Sequence, residues 1–215
     1  MSAVPAVEPA WRVQLDAGLA QLGLELSVEQ RERLLRYIAL LERWNRAFNL
    51  TAVRDPLDMI ARHLLDSLSV SPYLRGQRVL DVGTGAGLPG VPLAVVNPAR
   101  WFVLLDSSGK KTRFVTQAAL ALGLDNVEVV TTRIESYRPA QKFATIVTRA
   151  FTSAARSFAM TAPLLARPGH LLLLKGQRPD AELAEMGLAE NAWRLHRLRV
   201  PLLGAERHLI EIILD

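Results

Sequence analysis

The spacing of apolar side chains divides the chain into two textures. Up to about residue 75 they recur at helical intervals. Trp11 to Leu22 is a short amphipathic stretch ended by Gly23, and Ser27-Val28-Glu29-Gln30 is a capping box. Its serine and glutamine, three positions apart, satisfy each other's orphan amides, so a helix starts there. Leu34, Leu35, Ile38, Leu41 and Trp44 follow at three- and four-residue steps, with Arg31, Glu32, Arg36, Glu42 and Arg43 on the other face. Asn49 to Asp55 interrupts the pattern. Pro56 then fits the first turn of a further helix through Met59, Ile60, His63, Leu64 and Ser67. On that helix His63 and Asp66 stand i and i+3, close enough to pair in a packing role. The pattern predicts an all-helical N-terminal cap over residues 1–75.

From Arg78 short apolar runs alternate with amphipathic stretches. Arg78 to Val82, Trp101 to Leu105, Asn126 to Val130, Ala144 to Thr148 and His170 to Leu174 are too short for helices and too apolar for edge strands. They read as buried parallel strands. Helix-like segments lie between them at about 89–97, 109–122, 153–165 and 179–189, which predicts an α/β, doubly wound sheet over residues 76–215. Trp193 to Val200 and His208 to Leu214 leave no room for a crossover helix, so these two runs should pair antiparallel. No apolar run approaches the length of a membrane span, and Met1 to Ala10 reads as a frayed tail instead of a signal peptide. A cytoplasmic location is expected.

Composition narrows the chemistry. The chain has 215 residues and no cysteine, which excludes disulfides, thiolate metal ligands and a cysteine nucleophile. Its four histidines, His63, His170, His196 and His208, show no ligand spacing, so no metal is expected. Residues 1–75 carry 9 basic and 9 acidic side chains, whereas residues 76–215 carry 17 and 12 and hold the whole net charge of +5. Of the 26 cations 22 are arginine, the side chain best suited to phosphate and to stacking on bases.

The candidate site is the turn Asp81-Val82-Gly83-Thr84-Gly85-Ala86-Gly87-Leu88-Pro89-Gly90, between the first strand and first helix of the α/β region. Gly85-x-Gly87-x-x-Gly90 matches the dinucleotide expression literally, but counted from the strand end the frame fails at Leu88. Asp81 at the strand terminus would repel a pyrophosphate and attract a cationic amino-acid head. Asp106 ends the next strand 23 residues after Gly83, where a carboxylate accepts from ribose hydroxyls. These residues favour S-adenosylmethionine (SAM) over a dinucleotide. An NAD-dependent oxidoreductase stays open as the alternative, as does a non-enzymatic RNA-binding module.

The chain also resembles the bacterial small-subunit (16S) ribosomal RNA guanine-N7 methyltransferase G family, known too as glucose-inhibited division protein B. The resemblance runs from about Leu19 to the C-terminus. It is carried by Trp44-Asn45-Arg46-Ala47-Phe48-Asn49-Leu50-Thr51, Arg62-His63-Leu64-Leu65-Asp66-Ser67, the turn Val82 to Pro92, Leu105-Asp106-Ser107 with Lys110-Lys111, Thr148-Arg149-Ala150-Phe151, Leu174-Lys175-Gly176 and Glu206-Arg207-His208. It implies a Rossmann-like SAM-dependent methyltransferase sheet, mostly parallel with an antiparallel C-terminal strand, under an N-terminal helical cap. The implied reaction is methylation of one guanine N7 in small-subunit ribosomal RNA, within a ribosomal subunit or assembly intermediate. By position the resemblance places Gly83, Leu88, Ile134, Glu135 and Arg149 on the cofactor.

The residues agree with that chemistry. No cysteine is present for pyrimidine C5 addition, and Thr148-Arg149-Ala150-Phe151 lacks the paired prolines usual for exocyclic amines. Guanine N7 already has an in-plane lone pair and needs no general base. Arg149 and Lys175 are the catalytic candidates, and Phe151 stacks on a ring or packs in the core. Asp81, Gly83, Gly85, Leu88, Asp106, Ile134, Glu135 and Arg149 are the expected cofactor residues. Arg46, Asn49, Lys110, Lys111, Lys175 and Arg207 are the RNA candidates, with Trp44 read as core. A monomer is expected.

Overall fold

A computed structural model of the chain describes residues 7–215. The tail expected over Met1 to Ala10 lies mostly outside the described residues, and its last two positions belong to the first helix. That helix, α1 (Pro9–Leu22), has proline in its first turn and ends on Gly23 at φ 66°. The capping box forms both ways: Gln30 N donates to Ser27 Oγ at 3.1 Å and Ser27 N to Gln30 Oε1 at 3.0 Å, opening α2 (Val28–Phe48). Leu34, Leu35, Ile38 and Leu41 are buried along it, and Trp44 packs partly buried at 5.6 Å from Phe114.

The third cap segment departs from the single α-helix expected. It runs as α3 (Pro56–Met59), a π-helical stretch Ile60–Leu65 and a last turn α4 (Asp66–Leu68). Every residue from Met59 to Val70 except Arg62 is buried. An α-helix with one apolar stripe would not be enclosed so completely, and the wider turn accommodates side chains packed all round.

The sheet comprises β1 (Arg78–Val82), β2 (Trp101–Asp106), β3 (Val127–Thr131), β4 (Phe143–Arg149), β5 (Leu165–Lys175), β6 (Trp193–Leu198) and β7 (Arg207–Leu214). Their order is β3-β2-β1-β4-β5-β7-β6. The first five are parallel, and β7 runs antiparallel to both β5 and β6, as the short connection required. Between them come α5 (Gly90–Val96), α6 (Gly109–Leu122), α7 (Ala154–Thr161) and α8 (Asp180–Glu185). Two expectations need correction. β3 is an edge strand and not an interior one; its Glu128 and Thr131 are exposed and its valines only half-buried. β5 begins at Leu165, before the apolar run that announced it, so the preceding helix stops at Thr161.

Side chains alternate across the strands and so build two cores. Leu80, Val82, Ile146, Leu171 and Ile210 face α7 and α8. Val79, Leu104, Val147 and Leu172 lie on the other side, in one continuous cluster with Val91 and Val95 of α5, Phe114 of α6 and Leu34, Ile38 and Leu64 of the cap. The three C-terminal strands are tied by a buried Glu211, which accepts from His170 Nδ1 at 2.9 Å and His196 Nε2 at 2.8 Å. Burial pushes that carboxyl up, but the two histidine bonds outweigh burial and hold it below its ordinary value. Among the described residues no helix is long and apolar enough to cross a membrane.

Candidate active site

The glycine turn leaves the carboxyl end of β1 and closes almost entirely on itself. Gly83 N and Thr84 N both donate to Leu105 O, at 2.8 and 3.0 Å, and Gly85 N donates to Asp106 Oδ2 at 2.9 Å. Gly87 N and Leu88 N share Thr84 O, and Val91 N donates to Gly87 O. Gly90 N, in the first turn of α5, donates to Asp81 Oδ2 at 2.9 Å, which also accepts from Thr84 Oγ1 at 2.7 Å. A dinucleotide fold keeps such amides free for a pyrophosphate. Here a carboxylate of the protein itself already sits where that anion would bind.

This corrects the role expected of Asp81. Its side chain is fully buried beneath the turn and reaches no cavity wall. Burial pushes its carboxyl up to about 6, against the bonds from Thr84 and Gly90 and the Arg149 guanidinium, with Asp106 adding to the rise. Oδ1 has no partner. A group whose native pKa is raised favours the fold below its unfolded value and loses that benefit as pH climbs through the native one. Asp81 therefore stabilises most below about pH 4 and its contribution falls away through about pH 6. Asp81→Asn keeps an oxygen for Thr84 and Gly90 and removes the buried charge. The variant should fold and show a flatter dependence of urea-unfolding midpoint on pH between 4 and 7; an unaltered dependence would refute the assignment.

Beside the turn lies a cavity of about 580 Å³, lined by the end of β2, Lys111 of α6, the segments after β3 and β4, and Arg156 and Met160 of α7. Four expected cofactor residues meet on its wall: Gly83, Asp106, Ile134 and Glu135. Asp106 is held by Gly85 N on Oδ2 and by Ser108 N at 2.8 Å on Oδ1, and its carboxylate, an acceptor only, keeps lone pairs for further donors. Gly83 has φ 69°, and a Cβ there would stand 2.9 Å from Phe151 Cδ2, so glycine permits the close approach of that ring. Phe151 both lines the cavity and packs on the core beneath it.

The other expected cofactor residues sit elsewhere. Gly85 shapes the turn behind Asp106, Leu88 is buried in the cap-side core, and Arg149 points to the cap. Of the RNA candidates, Lys111 stands on the wall with Nζ 3.9 Å from Asp106, and Lys110 is exposed on the same helix. Arg46 is exposed and paired with Glu42, and Asn49 is an exposed left-handed cap of α2. Lys175 is not a free rim cation: Nζ donates to Glu182 Oε2 at 2.7 Å and to Thr152 O at 3.3 Å. Arg207 Nε donates to Asp66 Oδ1 at 2.9 Å.

Sequence reading missed several contributors. Arg133 and Arg156 line the cavity; Arg133 had a signal, being next to Ile134, and Arg156 had none. Tyr37, fully buried on α2, donates its hydroxyl to Ala86 O at 2.8 Å and so clamps the cap to the turn. The expected His63 and Asp66 pair does not form. His63 Nε2 shares a hydrogen bond with Thr51 Oγ1 at 2.9 Å, and burial, then the charge of Arg149, holds His63 down to about 4 and hence neutral. Asn45 completes this loop by accepting from Thr51 N and donating to Val53 O.

A sheet of this order, a glycine turn whose amides are nearly all taken up within the fold and a cavity at the strand ends with carboxylates on its wall define a SAM-dependent methyltransferase fold. The cavity fits that cofactor, which brings hydroxyls and cations for carboxylates and no phosphate for amides. Solved structures agree on the fold: magnesium protoporphyrin IX methyltransferase from Synechocystis is similar over 89% of this chain and 99% of its own, with TM-score 0.60 and 18% identity. A SAM-dependent methyltransferase from Aquifex aeolicus is similar over 78% of this chain and 97% of its own, with TM-score 0.57 and 18% identity. The chain itself belongs to the rRNA small subunit methyltransferase G family (GidB), whose model matches residues 30–210. It is 53% identical over 198 residues to ribosomal RNA small subunit methyltransferase G of Methylococcus capsulatus, covering 92% of this chain and 96% of that protein. To its counterpart in Marinobacter nauticus it is 50% identical over 202 residues, 94% of each chain.

Proposed function

We propose that the chain transfers a methyl group from SAM to N7 of a guanine in small-subunit ribosomal RNA, in the cytoplasm, on a ribosomal subunit or assembly intermediate. The observation that carries this reading is the pairing of a cavity walled by Asp106 and Glu135 with a turn whose amides, Ala86 excepted, are already paired within the fold. Asp106 would accept from the ribose hydroxyls, with Glu135 a second acceptor, while Ile134 would flank the adenine and Gly83 would let the amino-acid end pass close to the backbone. Bound SAM supplies an electrophilic methyl on a sulfonium. Guanine N7 attacks it with a lone pair and loses no proton, so the side chains need only align the partners and exclude water. Tyr37 serves that alignment by fixing the cap against the turn, while Asn45 braces the cap's own loop at Thr51 and Val53.

Lys111, Arg133 and Arg156 surround the cavity mouth, with Lys110 beside them, and supply the positive rim that a polyanionic substrate requires. Arg46, Asn49 and Arg207 lie on or beside the cap and suit contacts further along the RNA. The test has two parts. Calorimetric titration should give SAM binding and no response to NAD. Labelled SAM with small ribosomal subunits from cells lacking the enzyme should then label the rRNA, and reduction followed by aniline should cleave it at a single guanine. NAD binding in place of SAM, or cleavage at no guanine, would reject the reading.

A further inference from the structure

The segment between β4 and α7, Ala150 to Ser153, supplies Ala150, Phe151 and Thr152 to the cavity wall. Its shape is not one the chain prefers locally. Ala150 has φ 51°, in the left-handed region that a Cβ disfavours, and the cap that Ser153 Oγ offers Arg156 N is long, at 3.4 Å. Two side chains behind the wall hold it instead. Lys175, the last residue of β5, donates Nζ to Thr152 O at 3.3 Å, and Glu182 of α8 accepts from Ala154 N at 2.6 Å on Oε2. The same Oε2 accepts from Lys175 Nζ at 2.7 Å, so the bonds on either side of Ser153 close into one ring. Lys175 is 16% and Glu182 31% exposed, and neither stands on the cavity wall. Leu183 of α8 and Phe158 of α7 pack on the same core, which gives the two helices a common footing.

We infer that Glu182 is a positioning residue for SAM: bound to Lys175 and to the first amide of α7, it fixes Ala150 to Ser153 as a preformed wall of the cofactor cavity. A segment that had to find this arrangement at each encounter would lose conformational entropy on binding. Pinning it beforehand removes that cost from the affinity. A carboxylate suits the place in two ways. It satisfies an orphan donor at a helix N-terminus, where negative charge is favoured. It also neutralises an ammonium that would otherwise stand unpaired behind a cavity for a cationic sulfonium. Phe151, whose ring stands close over Gly83, belongs to the braced segment. Glu182 itself touches no cofactor. This inference rests on the SAM-binding part of the reading above.

The test is the Kd for SAM by calorimetric titration, measured beside the Tm of the ligand-free protein. Glu182→Ala should raise Kd about tenfold while Tm stays within about 3 °C of native. Glu182→Gln, whose carbonyl oxygen can still accept from Ala154 N, should lose only about threefold. Adding Lys175→Met to Glu182→Ala should weaken binding by less than about a further twofold, since both side chains act through one contact. A Kd within about twofold of native in Glu182→Ala, single losses that multiply in the double variant, or a Tm more than about 3 °C below native would each overturn the inference. Should Glu182→Ala be insoluble, Lys175→Met alone removes the bond to Thr152 O. It should raise the same Kd about fivefold, and a native Kd overturns the inference. Native enzyme that binds SAM and labels no rRNA would reject the methyl-transfer reading and leave the inference standing, whereas native protein that binds no SAM rejects both.

Discussion

Asp106→Ala is expected to lower SAM affinity about 100-fold or more, because a carboxylate that accepts from two ribose hydroxyls contributes about 1.5–3 kcal/mol per charged hydrogen bond. The position is favourable for so large an effect. The side chain is 8% exposed, so water competes poorly, and two backbone amides fix its orientation before any ligand arrives. Ser108 N and Gly85 N would lose their acceptor, so Asp106→Asn is the companion variant: its carbonyl oxygen can still take one amide. It should fall between the native protein and alanine. Calorimetric titration with SAM measures the effect, and circular dichroism checks that the sheet persists. A SAM affinity within threefold of native in Asp106→Ala would remove the carboxylate from the cofactor site.

What the chain revealed in advance was whatever neighbouring residues decide among themselves. Ser27 and Gln30 are three apart and their box forms as read. The helix at 109–122 runs between an uncapped start at Ser108 and a left-handed Gly123, and its ends agree with the reading. Arg78 to Val82 was visible as a strand because nothing in five residues interrupts its apolar run but Asp81. Sheet order was the first loss. Asn126 to Val130 looks as apolar as an interior strand, and only the absence of a neighbour beyond it, a global fact, makes it an edge.

The site was legible in its parts and not in its directions. A carboxylate at a strand end reads the same whether it turns to a ligand or to the next turn's amide. Asp106 faces the cavity and Asp81 faces Gly90, and the difference follows from side-chain alternation and helix placement. Gly90, which completed the apparent dinucleotide pattern, is there for packing: an added Cβ would collide with Leu104 and crowd Asp81 Oδ2. The partners of Asp66 lie on two distant strands, and local spacing offered only His63. Pairings of that kind need the finished topology.

Phe114→Ala should remove about 3–5 kcal/mol of stability, the cost of deleting a fully enclosed aromatic ring and leaving its cavity. Phe114 is 0% exposed, on the face of α6 that meets α2, with Tyr37 at 6.2 Å and Trp44 at 5.6 Å between ring centres. Its neighbours are rigid ring systems, and Tyr37 is also tethered to the turn, so the space would close poorly. For a chain of this length the loss corresponds to a fall in Tm of about 6–20 °C. The ring belongs to the cluster shared by cap and sheet, which makes a second expectation. Residues 1–75, distinct in composition and pattern, pack on one another and on α5 and α6, in one apolar cluster shared with the sheet, so the cap should unfold with it in one transition. With Trp101 and Trp193 of the sheet replaced by phenylalanine in every protein compared, tryptophan fluorescence reports on the cap through Trp11 and Trp44, while far-ultraviolet dichroism follows the whole chain. Urea curves from the two probes should coincide in the native protein and shift together in Phe114→Ala. A fluorescence transition that moves alone, with the dichroism curve unmoved, would mean that the cap is a separate unit and that Phe114 stabilises only the helices around it.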